Sequence, residues 1–259
     1  MQLSLCLRII TKLQALKDSP YEMQYHHHLQ GFVYSLLRGT EFHYLHDKKG
    51  YKFFCFSNIF PIGDIKRGNI RNLIISSPNR EFIEIVFDRL QKMSDNGTFR
   101  RIGTAEFSIL DATVIEEKNL TRSVSLISGT PIVIRIQKER YGEYNLNPPK
   151  PYPYLYWRST YPLEVFIKQL EDNLRKKYVE FFHDEVPEEP VFQRITFLKQ
   201  VSNKVIVNRE AHVVIGSVWK FGFDSLDSLK SELIRFGMDS GLGERNSLGF
   251  GFMNLLSNK

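Results

Sequence analysis

The chain has 259 residues, 42% of them hydrophobic and 25% charged, the composition of a globular protein able to bury one or two cores. No apolar run approaches the ~18 residues of a membrane span, and no low-complexity segment occurs, so membrane-spanning and disordered classes are excluded. The net charge is +6. Cys6 and Cys55 lie far apart in apolar surroundings and read as free, buried thiols of a reducing compartment, which places the protein in the cytoplasm.

Leu3, Leu5 and Leu7 alternate with Ser4, Cys6 and Arg8, which predicts a strand over 2–10 rather than a signal peptide. A helix follows over 23–38, with Leu29, Phe32, Val33, Leu36 and Leu37 as its core stripe. Gln30, Tyr34 and Arg38, spaced by four, line a different, polar face. A tyrosine there is equally a surface-packing residue or one that presents its hydroxyl to a ligand. Residues 51–60 read as an aromatic strand and 71–77 as another. Ser77-Pro78 opens a helix with Phe82, Val86, Leu90 and Met93 on one face, and 98–115 closes the unit as a strand or hairpin.

After the polar break at 116–119 the order repeats. A strand over 130–136 leads into a proline-rich, irregular excursion over 142–158. Pro162 opens a helix with Leu163, Phe166, Ile167, Leu170, Leu174 and Tyr178 inward, and with Lys176 and Lys177 among acids. Strands over 191–207 and 211–221 follow, then a helix over 225–236 with Asp224 as its N-cap, and a last strand from Phe250. Two strand-helix-strand-strand-helix-strand orders predict an α+β chain of two tandem ferredoxin-like (RRM-like) βαββαβ domains, at 1–118 and 119–259.

The charge is unevenly placed. Between Lys48 and Arg101 stand 11 Lys and Arg against 5 Asp and Glu, while the rest of the chain balances at 24 of each. The whole surplus lies in this segment, Lys48, Lys49, Lys66, Arg67 and Arg71 among it, and is either a solvated basic face or a phosphate-binding track. Five of the seven histidines fall between 26 and 46. Successive side chains on a helix diverge by about 100°, so His26, His27 and His28 cannot share one metal, and no metal or other cofactor is expected. His46 stands in a polar loop with Lys48, Lys49 and Lys52. It is either a surface residue or a proton-transfer group, histidine being suited to exchange near neutral pH.

The stretch Gly237–Gly251 holds five of the 16 glycines. Gly237 reads as the end of the preceding helix, which makes the order helix, glycine loop, strand. A mononucleotide cradle needs the reverse order and a closing Gly-Lys-Ser/Thr. A dinucleotide fingerprint needs a third glycine where Asn246 stands. The residues themselves leave a tight connection between a helix and an edge strand, or a loop whose glycines let another backbone or a phosphate approach.

The run Gly241-Leu-Gly243-Glu-Arg245-Asn246-Ser-Leu-Gly249-Phe-Gly251 resembles the C-terminal glycine-rich loop of the CRISPR repeat-processing endoribonucleases of the repeat-associated mysterious protein superfamily. Tyr25 to Tyr34 resembles that family's first helix, and Tyr44 to Lys52 its histidine-to-lysine segment, so the likeness spans nearly the whole chain. The resemblance implies metal-independent cleavage of CRISPR precursor RNA within its repeats, with Tyr34, His46 and Lys52 in the catalytic positions and His43 as rival to His46. It also implies RNA contacts from the basic segment and from Gly241, Gly243, Arg245, Asn246 and Gly249. A binding-only member, holding repeat RNA in a larger complex, is the alternative. The partners implied are repeat RNA and, beyond it, other effector-complex subunits or a second copy of the chain.

Overall fold

Leu7, Ile9, Thr11, Leu13 and Ala15 are all buried on one face of β1 (Cys6–Ala15), so the alternation runs five residues past the expected end of this strand. The computed structural model describes residues 6–22, 25–117, 120, 123–207 and 210–256. The expected boundary at 118 and 119 and the Cys6 side chain lie outside the described residues, whereas Cys55 is free and buried.

Around β1 are built α1 (Tyr25–Leu37), β2 (Cys55–Phe56), β3 (Ile70–Ser76), α2 (Arg80–Asp95), β4 (Phe99–Ile102) and β5 (Ala105–Glu117). They form an antiparallel sheet in the order β2-β3-β1-β5-β4. The stripes of α1 (Leu29, Phe32, Val33, Leu36) and α2 (Phe82, Val86, Leu90) pack in one core with Ile9, Leu13, Leu73 and Phe107 of the sheet. Asn79, not Ser77, caps α2, its side chain accepting from Phe82 N–H at 3.0 Å.

The second unit repeats the order with β6 (Val124–Ser128), α3 (Leu163–Phe182), β9 (Arg194–Val207), β10 (Glu210–Phe223), α4 (Ser228–Ser240) and β11 (Met253–Leu256), numbered after the excursion strands β7 (Arg135–Gln137) and β8 (Tyr154–Tyr156). Its sheet order, β11-β6-β10-β9, matches β5-β1-β3-β2 of the first unit position for position. Both halves are therefore ferredoxin-like βαββαβ units. Among the described residues no helix is long and apolar enough to cross a membrane.

Several local expectations are corrected. Residues 51–54 are not strand. Phe53 has φ 52, which turns its ring onto Phe181 of the second unit (5.0 Å), while Phe54 stacks on Phe82 of the first at 5.3 Å. The segment bridges two cores; the ladder with β3 holds only Cys55 and Phe56, and Phe60 adds an isolated bridge to Asn72. The first strand of the second unit, expected at 130–136, is β6 at 124–128; after Pro131, which has no N–H for a ladder, Ile132 and Val133 make only isolated bridges to Ser217 and Glu244, and Arg135 begins β7. Leu163, expected inward, is 39% exposed at the start of α3. Asp227 caps α4, its carboxylate accepting from Lys230 N–H at 2.7 Å, while Asp224 pairs with Arg194. That helix runs through Gly237 to Ser240. A Cβ at Gly237 would lie 2.6 Å from Leu242 and 3.1 Å from Leu174, so this glycine permits close packing, and Gly241 ends the helix.

Candidate active site

The polar face of α1 carries Tyr34, and the chain returns to it twice. A 3-10 turn over Glu41–His46 buries Phe42 and Leu45, which leaves His46 at the rim with its ring 5.2 Å from the Tyr34 ring, edge-on. The bridging run 51–54 then brings Lys52 back. Its Nζ donates to Tyr34 Oη at 2.8 Å and to the His46 carbonyl at 3.0 Å, and lies 5.1 Å from the Tyr34 ring centroid. The Tyr34 hydroxyl donates in turn to the Leu45 carbonyl at 3.4 Å. The structure thus brings together Tyr34, His46 and Lys52.

The electrostatics separate their roles. Burial pushes the Tyr34 phenol up to about 12, against the opposing effect of Ser247 and Gln30 beside it, so it keeps its proton near neutrality. Burial lowers the Lys52 ammonium, Asp47 opposing and Lys48 reinforcing the shift. His46 Nδ1 lies 2.7 Å from Asp47 Oδ1. A carboxylate can only accept, so Nδ1 carries the hydrogen and Nε2 is left able to take a proton. His43 is exposed and lines the same cleft of about 260 Å³ as Tyr34 and His46.

The glycine loop forms the opposite wall of a second cleft, of about 360 Å³, in which Lys52 faces Arg245, Asn246 and Ser247. Gly241, Gly243 and Gly249 are buried. Most of the loop's amides are used within the protein: Leu242 N–H bonds Gly251 O at 2.9 Å, Glu244 N–H bonds Val133 O at 2.9 Å, and Gly249 N–H bonds Asn246 O at 2.7 Å. Asn246 Nδ2 donates to Leu242 O (3.2 Å) and Phe250 O (2.9 Å), pinning the loop where a third glycine was sought. Lys177, with 1% of its surface exposed, donates to the Gly241 carbonyl, to Gly243 O at 3.3 Å and to Asn246 Oδ1 at 3.2 Å. Burial pushes its ammonium down to about 7.

The loop is also fastened to the first unit. His26 is fully buried, stacked between Tyr25 (4.1 Å) and Phe250 (4.2 Å), with Nδ1 2.7 Å from the Leu248 carbonyl and Nε2 3.4 Å from Asn203 Nδ2. Nδ1 is therefore the protonated nitrogen and the ring is neutral. The neighbouring histidines diverge from it, His28 lying 3.0 Å from Glu22 and His27 being exposed. Burial holds His26 down at about 4, against the opposing bond to Leu248. The unfolded chain takes up this proton near pH 6.5 and the folded one only near 4, so stability present above pH 6.5 is lost as pH falls towards 4. The loss expected is about 3 kcal/mol. Urea unfolding at pH 7 and pH 4.5 should show a smaller pH-dependent drop in His26→Gln than in the parent, and equal drops would refute the assignment.

The remaining basic residues are dispersed. Lys48 Nζ lies over the Phe53 ring at 5.3 Å and Lys49 is exposed, both on the approach to Lys52. Lys66 pairs with Asp18 at 3.1 Å, the Arg67 amide bonds the same carboxylate at 2.8 Å, and Arg71 donates to the Asp64 carbonyl at 2.8 Å. These three do not touch the Tyr34 group. Arg245 turns the chain with φ 59 ahead of the short helical turn Asn246–Leu248.

A family model described as CRISPR associated protein Cas6, C-terminal, matches residues 114–255, more than half of the chain. The chain belongs to the Cas6 family. It is 33% identical over 258 residues to CRISPR-associated endoribonuclease Cas6 2 of Methanocaldococcus jannaschii, covering 96% of this chain and 99% of that relative. It is 30% identical over 260 residues to CRISPR-associated endoribonuclease Cas6 of Haloferax mediterranei, covering 96% and 94%. Two solved structures share the fold. A Cas6-related protein from Pyrococcus furiosus has a TM-score of 0.71 at 24% identity, covering 98% of this chain and all of that one. An RAMP protein binding different RNA substrates has a TM-score of 0.72 at 23% identity, covering 97% of this chain and all of that one.

Three residues at this candidate site escaped the sequence reading. Asp47 had a signal, since it directly follows His46 on a polar loop. Ser247 had only its place inside the glycine run. Lys177, read among acids on a helix, is buried, and that burial follows from contact with a loop more than sixty residues away.

Proposed function

We propose that the protein is an endoribonuclease that cleaves CRISPR precursor RNA within its repeats, with the Tyr34, His46 and Lys52 group as its reaction centre. The observation that carries this reading is the Lys52 Nζ contact with Tyr34 Oη at 2.8 Å, with His46 edge-on at the rim, between two clefts. The 2′-hydroxyl of the nucleotide before the scissile bond attacks the adjacent phosphorus. The bond from phosphorus to the 5′ oxygen breaks, leaving a 2′,3′-cyclic phosphate and a 5′-hydroxyl. One proton leaves the 2′ oxygen and one arrives on the 5′ oxygen, so the step balances without a redox partner or a metal.

His46 Nε2 is the proton-transfer group in this scheme, because the Tyr34 phenol holds its proton at neutral pH. Tyr34 orients the phosphate by turning its one O–H from the Leu45 carbonyl, a long contact at 3.4 Å, to a phosphate oxygen, and the Lys52 ammonium stabilises the charge that gathers on the phosphorane oxygens. Lys48, Lys49, Arg245 and Asn246 hold the strand on either side, and Lys66, Arg67 and Arg71 extend the positive field. The buried glycines 241, 243 and 249 serve RNA by shaping the turn that presents Arg245 to Ser247.

The test is incubation with end-labelled repeat RNA in EDTA, alongside the same RNA carrying a 2′-deoxy nucleotide before the cleavage point. Cutting of the first at one site, with a cyclic-phosphate end, and binding without cutting of the second are expected. Cleavage of the deoxy substrate would show that the nucleophile is not the RNA's own hydroxyl. Retention of the all-ribose RNA without cleavage would identify a binding protein instead.

A further inference from the structure

The exposed ridge of α1 carries His27, Gly31, Tyr34 with Ser35, and Arg38, residues that recur every three to four positions and so stand in one line. On one side of this ridge lies the cleft with Tyr34, His43 and His46. On the other lies a larger groove of about 660 Å³, lined by Arg38 of the helix end, Arg89 of α2 and Arg100 of β4, with Arg101 at its margin. The two depressions share His27, Gly31, Ser35 and Arg38, so they meet across the helix.

The arginines in the groove are poorly neutralised. Arg101, next in β4, turns to the other face of the sheet, where its Nε stands 3.8 Å from Glu106, a carboxylate already held by Lys17 at 2.7 Å. Arg100 donates to the carbonyl of its own neighbour Phe99 at 3.2 Å. Among the described residues Arg38 and Arg89 have no acidic partner. Three arginines from three elements line one groove without a carboxylate among its lining residues, a positive field with no partner among the described residues. Planar guanidinium forks match the oxygens of phosphodiesters.

Gly31 supplies a second, independent observation. A glycine inside a helix costs about 1 kcal/mol relative to alanine. Such a cost is usually offset by close packing, as at Gly237, but a Cβ at Gly31 would meet nothing within 4 Å. No protein contact requires the glycine. Its effect is to lower the ridge where the two depressions join.

We propose that one strand of the bound RNA leaves the Tyr34–His46 cleft, crosses α1 over Gly31, and lays its backbone phosphates on Arg38, Arg89 and Arg100. The contact is to phosphates and is independent of base sequence. The proposal rests on the RNA-cleaving reading, and its test separates the two.

The dissociation constant for repeat RNA is measured by fluorescence anisotropy across a salt series for the parent, Arg89→Ala/Arg100→Ala, Gly31→Leu and the charge-matched control Lys199→Ala/Lys220→Ala. Single-turnover cleavage is followed at saturating RNA. The arginine pair should weaken binding roughly tenfold and reduce the log–log salt slope by about 1.4, since each phosphate contact on a single strand contributes ~0.7. Its cleavage rate once bound should stay near the parent's. Gly31→Leu, whose side chain enters open space on a helix, should raise the thermal midpoint and still weaken RNA binding. If the parent binds and cuts RNA while both groove variants keep its affinity and slope, the path over α1 is wrong and the cleavage reading stands. An equal loss in the lysine control would assign the effect to net charge and likewise overturn the path. A parent that neither binds nor cuts repeat RNA would remove both.

Discussion

His46→Ala is expected to lower the single-turnover cleavage rate by ~10²–10⁴-fold, the range for one proton-transfer group, and to leave RNA affinity near the parent's. The His46 side chain is 63% exposed, so its removal opens no buried cavity. His46 stands at the rim, whereas the Lys52 ammonium donates to Tyr34 Oη within the group, and Lys52→Ala should lower both rate and affinity. Asp47→Asn tests the orientation. An amide can offer its nitrogen to the imidazole as readily as its oxygen, so a partial rate loss without loss of affinity is expected. His43→Ala is the internal control, since His43 lines the same cleft without a contact to Asp47 or Lys52. If His43→Ala loses the reaction and His46→Ala keeps it, the scheme survives with the other histidine.

The second large effect is structural. Gly251 has φ 76, and a Cβ there would stand 1.9 Å from the carbonyl oxygen of Leu242. That oxygen cannot withdraw, because Leu242 N–H is itself bonded to Gly251 O, and Gly251 N–H to Pro131 O, each at 2.9 Å. Gly251→Ala should cost ~3 kcal/mol, combining about 1–2 for a left-handed residue with a Cβ and a comparable clash term. The thermal midpoint should fall by roughly 6–12 °C. RNA affinity should fall with it, because the turn presenting Arg245 to Ser247 is strung between Leu242 and Gly251. Gly142→Ala, where a Cβ meets nothing within 4 Å, is the contrasting case, and its midpoint should hold. A midpoint unchanged in Gly251→Ala would mean that the loop is not held as described.

The double βαββαβ order was legible because both signals it rests on are local: the stripes of α1 and α2 at helical spacing, and the alternation of β9 and β10. What failed was decided by distant partners. Phe53 and Phe54 look alike in a run of aromatic residues, yet one joins the second core and the other the first. Gly237 looks like a helix stop, but only Leu174 and Leu242 packed against it explain a glycine inside α4. Lys177 looks solvated until the loop closes over it. At the candidate site, the polar spacing of Gln30, Tyr34 and Arg38 could be read from periodicity. The convergence of Tyr34 with His46 and Lys52 came from family resemblance, since no spacing rule joins residue 34 to residue 52 through a 3-10 turn and a left-handed Gly50.

The fastening of the loop to α1 and β2 through His26–Leu248 and Cys55–Phe250 also bears on the order in which the protein is made. Tyr34, His46 and Lys52 leave the ribosome early, but one wall of their cleft consists of residues made some two hundred positions later. At 5–20 residues per second that interval is roughly 10–40 s. Throughout it a nascent first unit displays Phe250's docking place on His26 uncovered and has no surface opposite Lys52. The second cleft therefore comes into existence only once residues 242–251 have been made, so a chain interrupted before them carries Tyr34, His46 and Lys52 without the enclosure that the proposed reaction uses.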